Sequence, residues 1–219
     1  MGGHSAAVPI EKEGALKTDI HVARVQLDPG RFWLAASPRG LCRVAFPNEE
    51  QASFRAWLER WCGEGEVYER PRAFVGAIEQ LRSYFCGELK TFDLALDVRA
   101  TPFQRQVLHH VAAIPYGSTR SYGQLAAALG KPNASRAVGA ANAANPLPLF
   151  IPCHRVLGSG GQLTGFGGGV ALKQRLLRLE GHAVVQGRLV DTGATLPLFE
   201  RAAAPAKKPA HDEGAKAPC

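Results

Sequence analysis

Apolar and polar residues alternate along the early chain. His21-Val22-Ala23-Arg24-Val25-Gln26-Leu27 has the two-residue period of a half-buried strand, and Asp28-Pro29-Gly30 supplies a turn. Arg31-Phe32-Trp33-Leu34-Ala35-Ala36 resumes the alternation and Ser37-Pro38-Arg39-Gly40 turns again. Leu41-Cys42-Arg43-Val44-Ala45-Phe46 completes a three-stranded meander. The period then lengthens. Phe54, Trp57, Leu58 and Trp61 predict a helix over Gln51–Trp61, and Phe74, Ile78, Leu81 and Phe85 predict another over Pro71–Phe85. Phe92–Val98 alternates as one more strand. This half gathers no titratable groups in a catalytic arrangement and reads as scaffold.

Arg99-Ala100-Thr101-Pro102 reads as a linker. Thr101 is suited to cap a helix with Pro102 at its first position and Phe103, Val107, Leu108 and Val111 as its apolar stripe. Ile114-Pro115-Tyr116-Gly117 is a turn. Ser121 caps a short helix from Tyr122 to Leu129, closed by Gly130, and a second helix rich in small residues runs from Ala134 to about residue 144. Two short helices joined by a Gly-containing turn match the helix-turn-helix pattern. A last helix, Val170–Glu180, spaces Leu172, Leu176, Leu177 and Leu179 for burial. Residues 1–16 read as a mobile leader. Thr195–Phe199 reads as a last strand or anchor, and the chain from Arg201 as a disordered tail.

Composition narrows the class. The chain has 219 residues, 46% of them hydrophobic, enough for one large domain or two small ones. No apolar run approaches the roughly 20 residues that span a bilayer. The first residues lack a signal-peptide core, so a cytoplasmic location is expected. The five cysteines form no Cys-x-x-Cys pair and indicate neither a disulfide framework nor a zinc ribbon. Cys42, Cys62 and Cys86 lie in apolar periods and read as core residues. The net charge of +7 is unevenly placed: residues 17–98 hold eleven Lys/Arg against twelve Asp/Glu, whereas residues 99–181 hold nine against the single acid Glu180. A basic half beside a neutral one favours a polyanionic partner such as nucleic acid, or else makes a solvated basic face.

The candidate chemistry sits in Asn145-Pro146-Leu147-Pro148-Leu149-Phe150-Ile151-Pro152-Cys153-His154-Arg155-Val156. Three prolines remove amide hydrogens, so neither a helix nor a central strand runs through, and Cys153 is pinned in a rigid turn. Burial raises a thiol's pKa unless a base or positive charge stabilises the thiolate. His154 is the nearest base. Adjacent side chains on extended backbone diverge, so a bridging water is expected between the two. Glu180 sits in the last helical turn, where the dipole opposes it, and this asks for a specific partner, for which His154 is the candidate. The Gly-rich loop 157–169 offers amides to an oxygen, or is a flexible hairpin. These residues also fit a thiol hydrolase or a redox-sensing DNA-binding module.

Ile151-Pro152-Cys153-His154-Arg155-Val156, with Asn145-Pro146 upstream and Leu179-Glu180-Gly181-His182 downstream, resembles the O6-alkylguanine-DNA alkyltransferases. The resemblance is detailed from Thr101 to His182 and looser over 20–98. It implies an α/β N-terminal domain, a small antiparallel sheet with helices that is ribonuclease H-like, over 17–98. It implies a mainly α C-terminal domain with a winged helix-turn-helix over 99–190, between the leader 1–16 and the tail 191–219. The activity implied is irreversible transfer of an alkyl group from guanine O6, and from thymine O4, to Cys153, once per molecule and without cofactor.

The resemblance also distributes roles. His154 is the base acting through water, Glu180 orients it, and Asn145 braces the turn. Tyr122 reaches the flipped base and nearby phosphate, Gly123 donates to phosphate, and Arg136 replaces the extruded nucleotide. Ala137 and Ala140 let the second helix enter the minor groove of double-stranded DNA without regard to sequence. Gln104, Lys131 and Ser159 touch the DNA backbone, and Pro148 joins the base-binding set. The carbonyls of Cys153 and Val156 accept from guanine N2, while the amides of Gly167 and Gly168 face O6. Phe166 stands where the family usually has tyrosine, and Gly167 where serine is common, which bears on bulky alkyl groups. A monomer is expected. Some members carry zinc in the N-terminal domain, but no matching ligand set is present here.

Overall fold

In the computed structural model, which describes residues 19–63 and 65–190, the meander forms as expected. Strands β1 (Ile20–Leu27), β2 (Gly30–Ser37) and β3 (Gly40–Ala45) are antiparallel neighbours, with Val22 opposite Ala35 and Leu34 opposite Val44. The sheet is not wholly antiparallel. A fourth strand, β4 (Val67–Glu69), lies parallel to β1 on the far edge, so the order is β3-β2-β1-β4. Three residues are too few to show a period, and the sequence pattern missed it.

One face of the sheet is fully covered and the other only in part, with Arg24 and Gln26 of β1 exposed beyond the helix that packs there. Helix α1 (Gln51–Cys62) packs Phe54, Leu58 and Cys62 on Ile20, Val22, Ala35 and Cys42. The other face carries Ala23, Val25, Phe32 and Leu34 into a core shared with the second half of the chain. Helix α2 (Val75–Phe85) follows a 3-10 turn at Pro71–Phe74. Its stripe is rotated from the predicted one. Ala77, Leu81 and Tyr84 are buried, while Ile78 and Phe85 are only partly so. Cys86 falls off that stripe and is exposed, contrary to its reading as core.

The expected strand at Phe92–Val98 does not form. The segment makes one bridge, Leu41 to Leu96, with Leu41 N donating to Ala95 O at 2.9 Å and Asp97 N to Leu41 O at 2.8 Å. Farther along β3 the free edge is already taken, since Val44 N donates to Pro146 O at 2.8 Å. A carbonyl from the proline-rich window thus ends the ladder and docks that window on the sheet.

In the second half, α3 (Pro102–Ala112) and α4 (Tyr122–Ala128) both start on capping boxes, Thr101 with Gln104 and Ser121 with Gln124. Gly130, at φ +69°, ends the α4 region, and α5 (Ser135–Ala143) packs against α3 and α4. Strand β5 (Arg120–Ser121) pairs in parallel with β6 (Val156–Leu157), which ties the start of α4 to the residues just after Cys153. Helix α6 (Val170–Leu179) ends with Glu180 as its C-cap, one residue earlier than expected. A hairpin, β7 (Ala183–Val185) with β8 (Arg188–Val190), follows. No described helix is long and apolar enough to cross a membrane. The leader, Thr195–Phe199 and the tail lie outside the described residues.

The approach of residues 95–97 to β3 depends on Gly40, at φ +133°, where a Cβ would meet Ala95 O at 2.2 Å. Gly40→Ala combines a backbone clash with an unfavourable φ. Its cost is expected to reach about 3 kcal/mol, read as a lower urea midpoint with unchanged slope.

Candidate active site

The turn carrying the thiol is braced from within. Asn145 donates through Nδ2 to Ile151 O at 2.8 Å and accepts from Leu147 N at 3.0 Å, so one side chain closes the loop at both ends. Leu149 is held at φ 76°, an uncommon conformation for a γ-branched residue, and Cys153 N donates to Ile151 O at 2.8 Å. Cys153–Arg155 forms a 3-10 turn rather than extended backbone. Asn142, from α5, donates to Cys153 O at 3.4 Å.

Cys153 is 6% exposed. Burial pushes its thiol up, opposed by a hydrogen bond from Asn145 and by the charge of Lys173. No hydrogen bond joins its sulfur to the His154 ring. His154 is fully buried; its Nε2 lies 2.8 Å from Glu180 Oε1, and its Nδ1 has no hydrogen-bond partner among the described residues. Since Glu180 can only accept when ionised, Nε2 carries the hydrogen and Nδ1 keeps a lone pair. Burial lowers the imidazole's pKa, and Glu180 opposes that shift.

Glu180 gathers more donors than the sequence suggested. Arg155 Nη2 reaches Oε1 at 2.9 Å, Arg155 Nε reaches Oε2 at 2.9 Å, and the amide of Gly117 reaches Oε2 at 3.1 Å. Tyr84 Oη donates to Oε1 at 2.8 Å. Burial alone would raise the carboxyl's pKa, but His154 and Arg155 hold it down at about 2. The expected His154 partner is therefore present, and Arg155 adds a bidentate ion pair.

Lys173 was missed at the level of sequence. It is fully buried on α6, donates from Nζ to Val156 O at 2.6 Å, and is brought down to about 8 by burial, with Cys153 opposing. Its position in the wheel beside Leu172, Leu176 and Leu177 was the available signal. Tyr84 carried none, because it lies in the half read as scaffold. The first half is thus more than scaffold, since Tyr84 reaches Glu180.

Cys153 lines a cavity of about 870 Å³ together with Asn145, Pro148, Tyr122, Gly123, Arg136, Ser159, Phe166 and Gly167. Nine of the sequence-selected residues thus share one hollow. Its wall also takes Arg43, Val44, Phe46 and Glu49 from the first half, a contribution the sequence did not reveal. Phe166 packs on Phe46 with ring centres 5.0 Å apart, and Asn48 donates to Gly167 O at 2.9 Å. Tyr122 Oη lies 3.0 Å from Thr164 Oγ1, fastening α4 to the Gly-rich loop. At Gly168 a Cβ would meet Leu172 Cδ2 at 2.7 Å and the Phe46 ring at 3.0 Å, so these two side chains pack closely over its backbone.

Other selected residues stand apart from the cavity wall. Gln104 is spent on the capping box of α3, Lys131 lies over the Phe103 ring at 5.2 Å, and Ala137 is exposed on α5. Val156 is buried and its carbonyl already accepts from Lys173. Among the described residues no group of three or more His, Cys, Asp or Glu side chains is placed to hold a metal ion.

Two family models match the chain. One, described as the ribonuclease-like domain of 6-O-methylguanine DNA methyltransferase, covers residues 22–98; the other, its DNA binding domain, covers residues 102–182. A methylated-DNA--protein-cysteine methyltransferase of Mycolicibacterium paratuberculosis is 57% identical over 112 residues, which is 51% of this chain and 68% of that protein. The chain belongs to the 6-O-methylguanine DNA methyltransferase family. A second relative of the same name, from Methanosarcina acetivorans, is 50% identical over 52% of this chain and 72% of its own length. The crystal structure of Mycobacterium tuberculosis OGT in complex with DNA is similar at a TM-score of 0.65 and 41% identity, covering 73% of this chain and 92% of that one. The two-domain architecture of the family, with a small sheet first and helices after it, is thus shared.

Glu180 contributes stability that is fully present above its unfolded pKa, the usual 4.5, and is lost as pH falls through about 2. Glu180→Gln leaves Arg155 buried without its counter-charge. A loss on the order of 3 kcal/mol at pH 7 is expected, narrowing towards pH 2 as the wild type itself protonates; urea unfolding at several pH values measures it.

Proposed function

We propose that this chain repairs alkylated DNA by direct reversal, moving the alkyl group from guanine O6, or thymine O4, onto Cys153 Sγ. The observation that carries the reading is a buried thiol on the wall of a cavity of about 870 Å³, next in sequence to an imidazole with one nitrogen fixed by Glu180 and the other without a partner among the described residues. That volume is within the range of small-molecule sites.

A base stacked in duplex DNA cannot reach Cys153, so the nucleotide is flipped at a cost of a few kcal/mol, least for a damaged pair. The thiol proton passes to His154 Nδ1 through a bridging water, and the imidazolium is stabilised by Glu180. Sulfur displaces guanine at the alkyl carbon in one step; the C–O bond breaks as the C–S bond forms. Charge developing on O6 is met by hydrogen-bond donors, for which the amides of Gly167 on the cavity wall and of Gly168 beside it are the candidates, and the departing guanine takes up at N1 the proton held by the imidazolium, directly or through water. The thioether offers water no leaving group, so each molecule acts once.

Helices α4 and α5 form the DNA-binding helix-turn-helix, with the hairpin β7–β8 as its wing, and the four-stranded sheet β3-β2-β1-β4 belongs to the ribonuclease H-like domain. The small exposed face of α5 at Ala137 and Ala140 suits a narrow minor groove. Arg136, exposed on the same helix and at the cavity, fills the gap left by the flipped base. Tyr122 contacts the base, Gly123, Gln104, Lys131 and Ser159 the backbone, and Pro148 and Phe166 wall the pocket. The basic charge of residues 99–181 supplies sequence-independent attraction. The protein works as a monomer in the cytoplasm.

Incubation with O6-methylguanine DNA, followed by intact and peptide mass spectrometry, is expected to show one methyl group on Cys153. A Cys153 left unmodified under reducing conditions rejects the reading. Cys153→Ser is expected to keep its affinity for DNA and lose transfer entirely. Arg136→Ala should slow transfer at least tenfold on duplex substrate and less on the free base O6-benzylguanine, which needs no flipping.

A further inference from the structure

Tyr84 stands out as a buried polar group that packing alone does not explain. Its ring belongs to an aromatic cluster, with centres 5.1 Å from Phe92, 5.7 Å from Phe85 and 6.3 Å from Tyr116. Phenylalanine would fill that space equally well. A buried phenol must also satisfy its hydroxyl, at a cost if it fails. Here both partners of the hydroxyl belong to the charge network of the site: Oη donates to Glu180 Oε1 at 2.8 Å and lies 3.3 Å from His154 Nε2.

The geometry is a triangle of three polar atoms. Tyr84 Oη and His154 Nε2 both present hydrogens to Glu180 Oε1, each at 2.8 Å. Burial and the neighbouring Glu180 push the phenol's pKa well above its ordinary value, so the hydroxyl remains a donor at any working pH. Its oxygen then has lone pairs to offer the Nε2 hydrogen, but nothing to give it. Any rotation of the imidazole that brings the unprotonated nitrogen or a ring carbon to this corner loses both contacts. The other donors to Glu180, from Arg155, Gly117 and His154, all come from residues 99–190. Among the described residues Tyr84, on α2, is the side chain of the first half that hydrogen-bonds into this network.

We propose that Tyr84 is a positioning residue for alkyl transfer: the first half of the chain, through this hydroxyl, holds Glu180 and the Nε2 edge of His154 so that Nδ1 is left for the thiol proton. The role rests on the alkyl-transfer reading above. It also sets the pH at which the base is ready. His154 faces Glu180, Arg155, Lys173 and Tyr84, and of these Glu180 stabilises the imidazolium. By taking a share of the carboxylate's charge, the hydroxyl keeps His154 neutral, and so able to accept a proton, to a lower pH.

The test is Tyr84→Phe, which keeps the ring and removes the oxygen. Single-turnover methyl transfer from duplex DNA, followed from about pH 5 to 9, is expected to slow about five- to tenfold near neutrality, the scale of one buried hydrogen bond. The acid limb of the profile should move about half a unit to one unit higher, and affinity for the same DNA should not change. Phe92→Leu is the packing control: it loosens the same cluster without touching Glu180, and is expected to lower the melting temperature while leaving the position of the acid limb where it was. A Y84F profile that superimposes on the wild type overturns the role, as does an equal displacement of the limb in F92L. A wild-type protein that transfers no methyl group removes the underlying reaction itself, which is a different failure from a wild type that transfers and a Y84F that matches it.

Discussion

Glu180 carries a full negative charge at the C-terminal end of α6, where the helix dipole opposes it and little water reaches it. Such a group is stable only if fixed donors replace its hydration. The surrounding structure can be read as the means of bringing them. Arg155 supplies the counter-charge and spends a further nitrogen on Ile114 O at 2.6 Å. The turn at Pro115–Gly117 adds an amide to Glu180, and Tyr116 closes on Leu179 O at 2.8 Å. Three elements distant in sequence are thereby locked to one carboxylate. His154, immediately before Arg155, is positioned as a consequence. The ion pair is a poor source of net stability, because desolvation consumes much of its attraction; what it provides is a single arrangement of the imidazole.

The state of the thiol follows from the same enclosure. Burial keeps Cys153 protonated at rest, and the nearby Lys173 is itself brought down by burial, so neither charge is cheap to create alone. A neutral thiol is a weak nucleophile and a poor target for oxidants. In the proposed reaction the proton leaves towards His154 as the substrate arrives, which couples chemistry to occupancy of the cavity. Lys173 also fixes the carbonyl of Val156, directly after the reactive turn, so the positive group nearest the sulfur is tethered rather than free to wander.

The two halves of the chain are mechanically continuous. Val44 receives the carbonyl of Pro146, Phe46 and Asn48 hold the Gly-rich loop, and Arg175 pairs with Asp28 across the junction. The hydrophobic core runs without a break from Phe32 and Leu34 through Tyr84 to Val107, Leu176 and Cys153. A half whose own sequence holds no catalytic pattern therefore shapes one wall of the cavity and reaches the buried charges.

Local rules were legible in the sequence. The alternation of β1, β2 and β3, the caps at Thr101 and Ser121, the turn glycine Gly130 and the proline-stiffened cysteine each depend on neighbours within a few residues, and each was readable from them. The anomaly of Glu180 was legible too, because a carboxylate against a helix dipole is a local conflict. The partners that resolve it were only partly so: His154, beside the cysteine, was inferred from its chemistry, whereas Arg155, next to it in sequence, and Gly117 and Tyr84, 63 and 96 residues from Glu180, were not. Tertiary structure alone decided those, along with the parallel strand β4, the lost strand at 92–98 and the burial of Lys173. In each case the deciding contact joins different elements, whose meeting depends on how those elements pack rather than on neighbours in sequence. A residue's periodicity tells which way it faces, but not what it will find there.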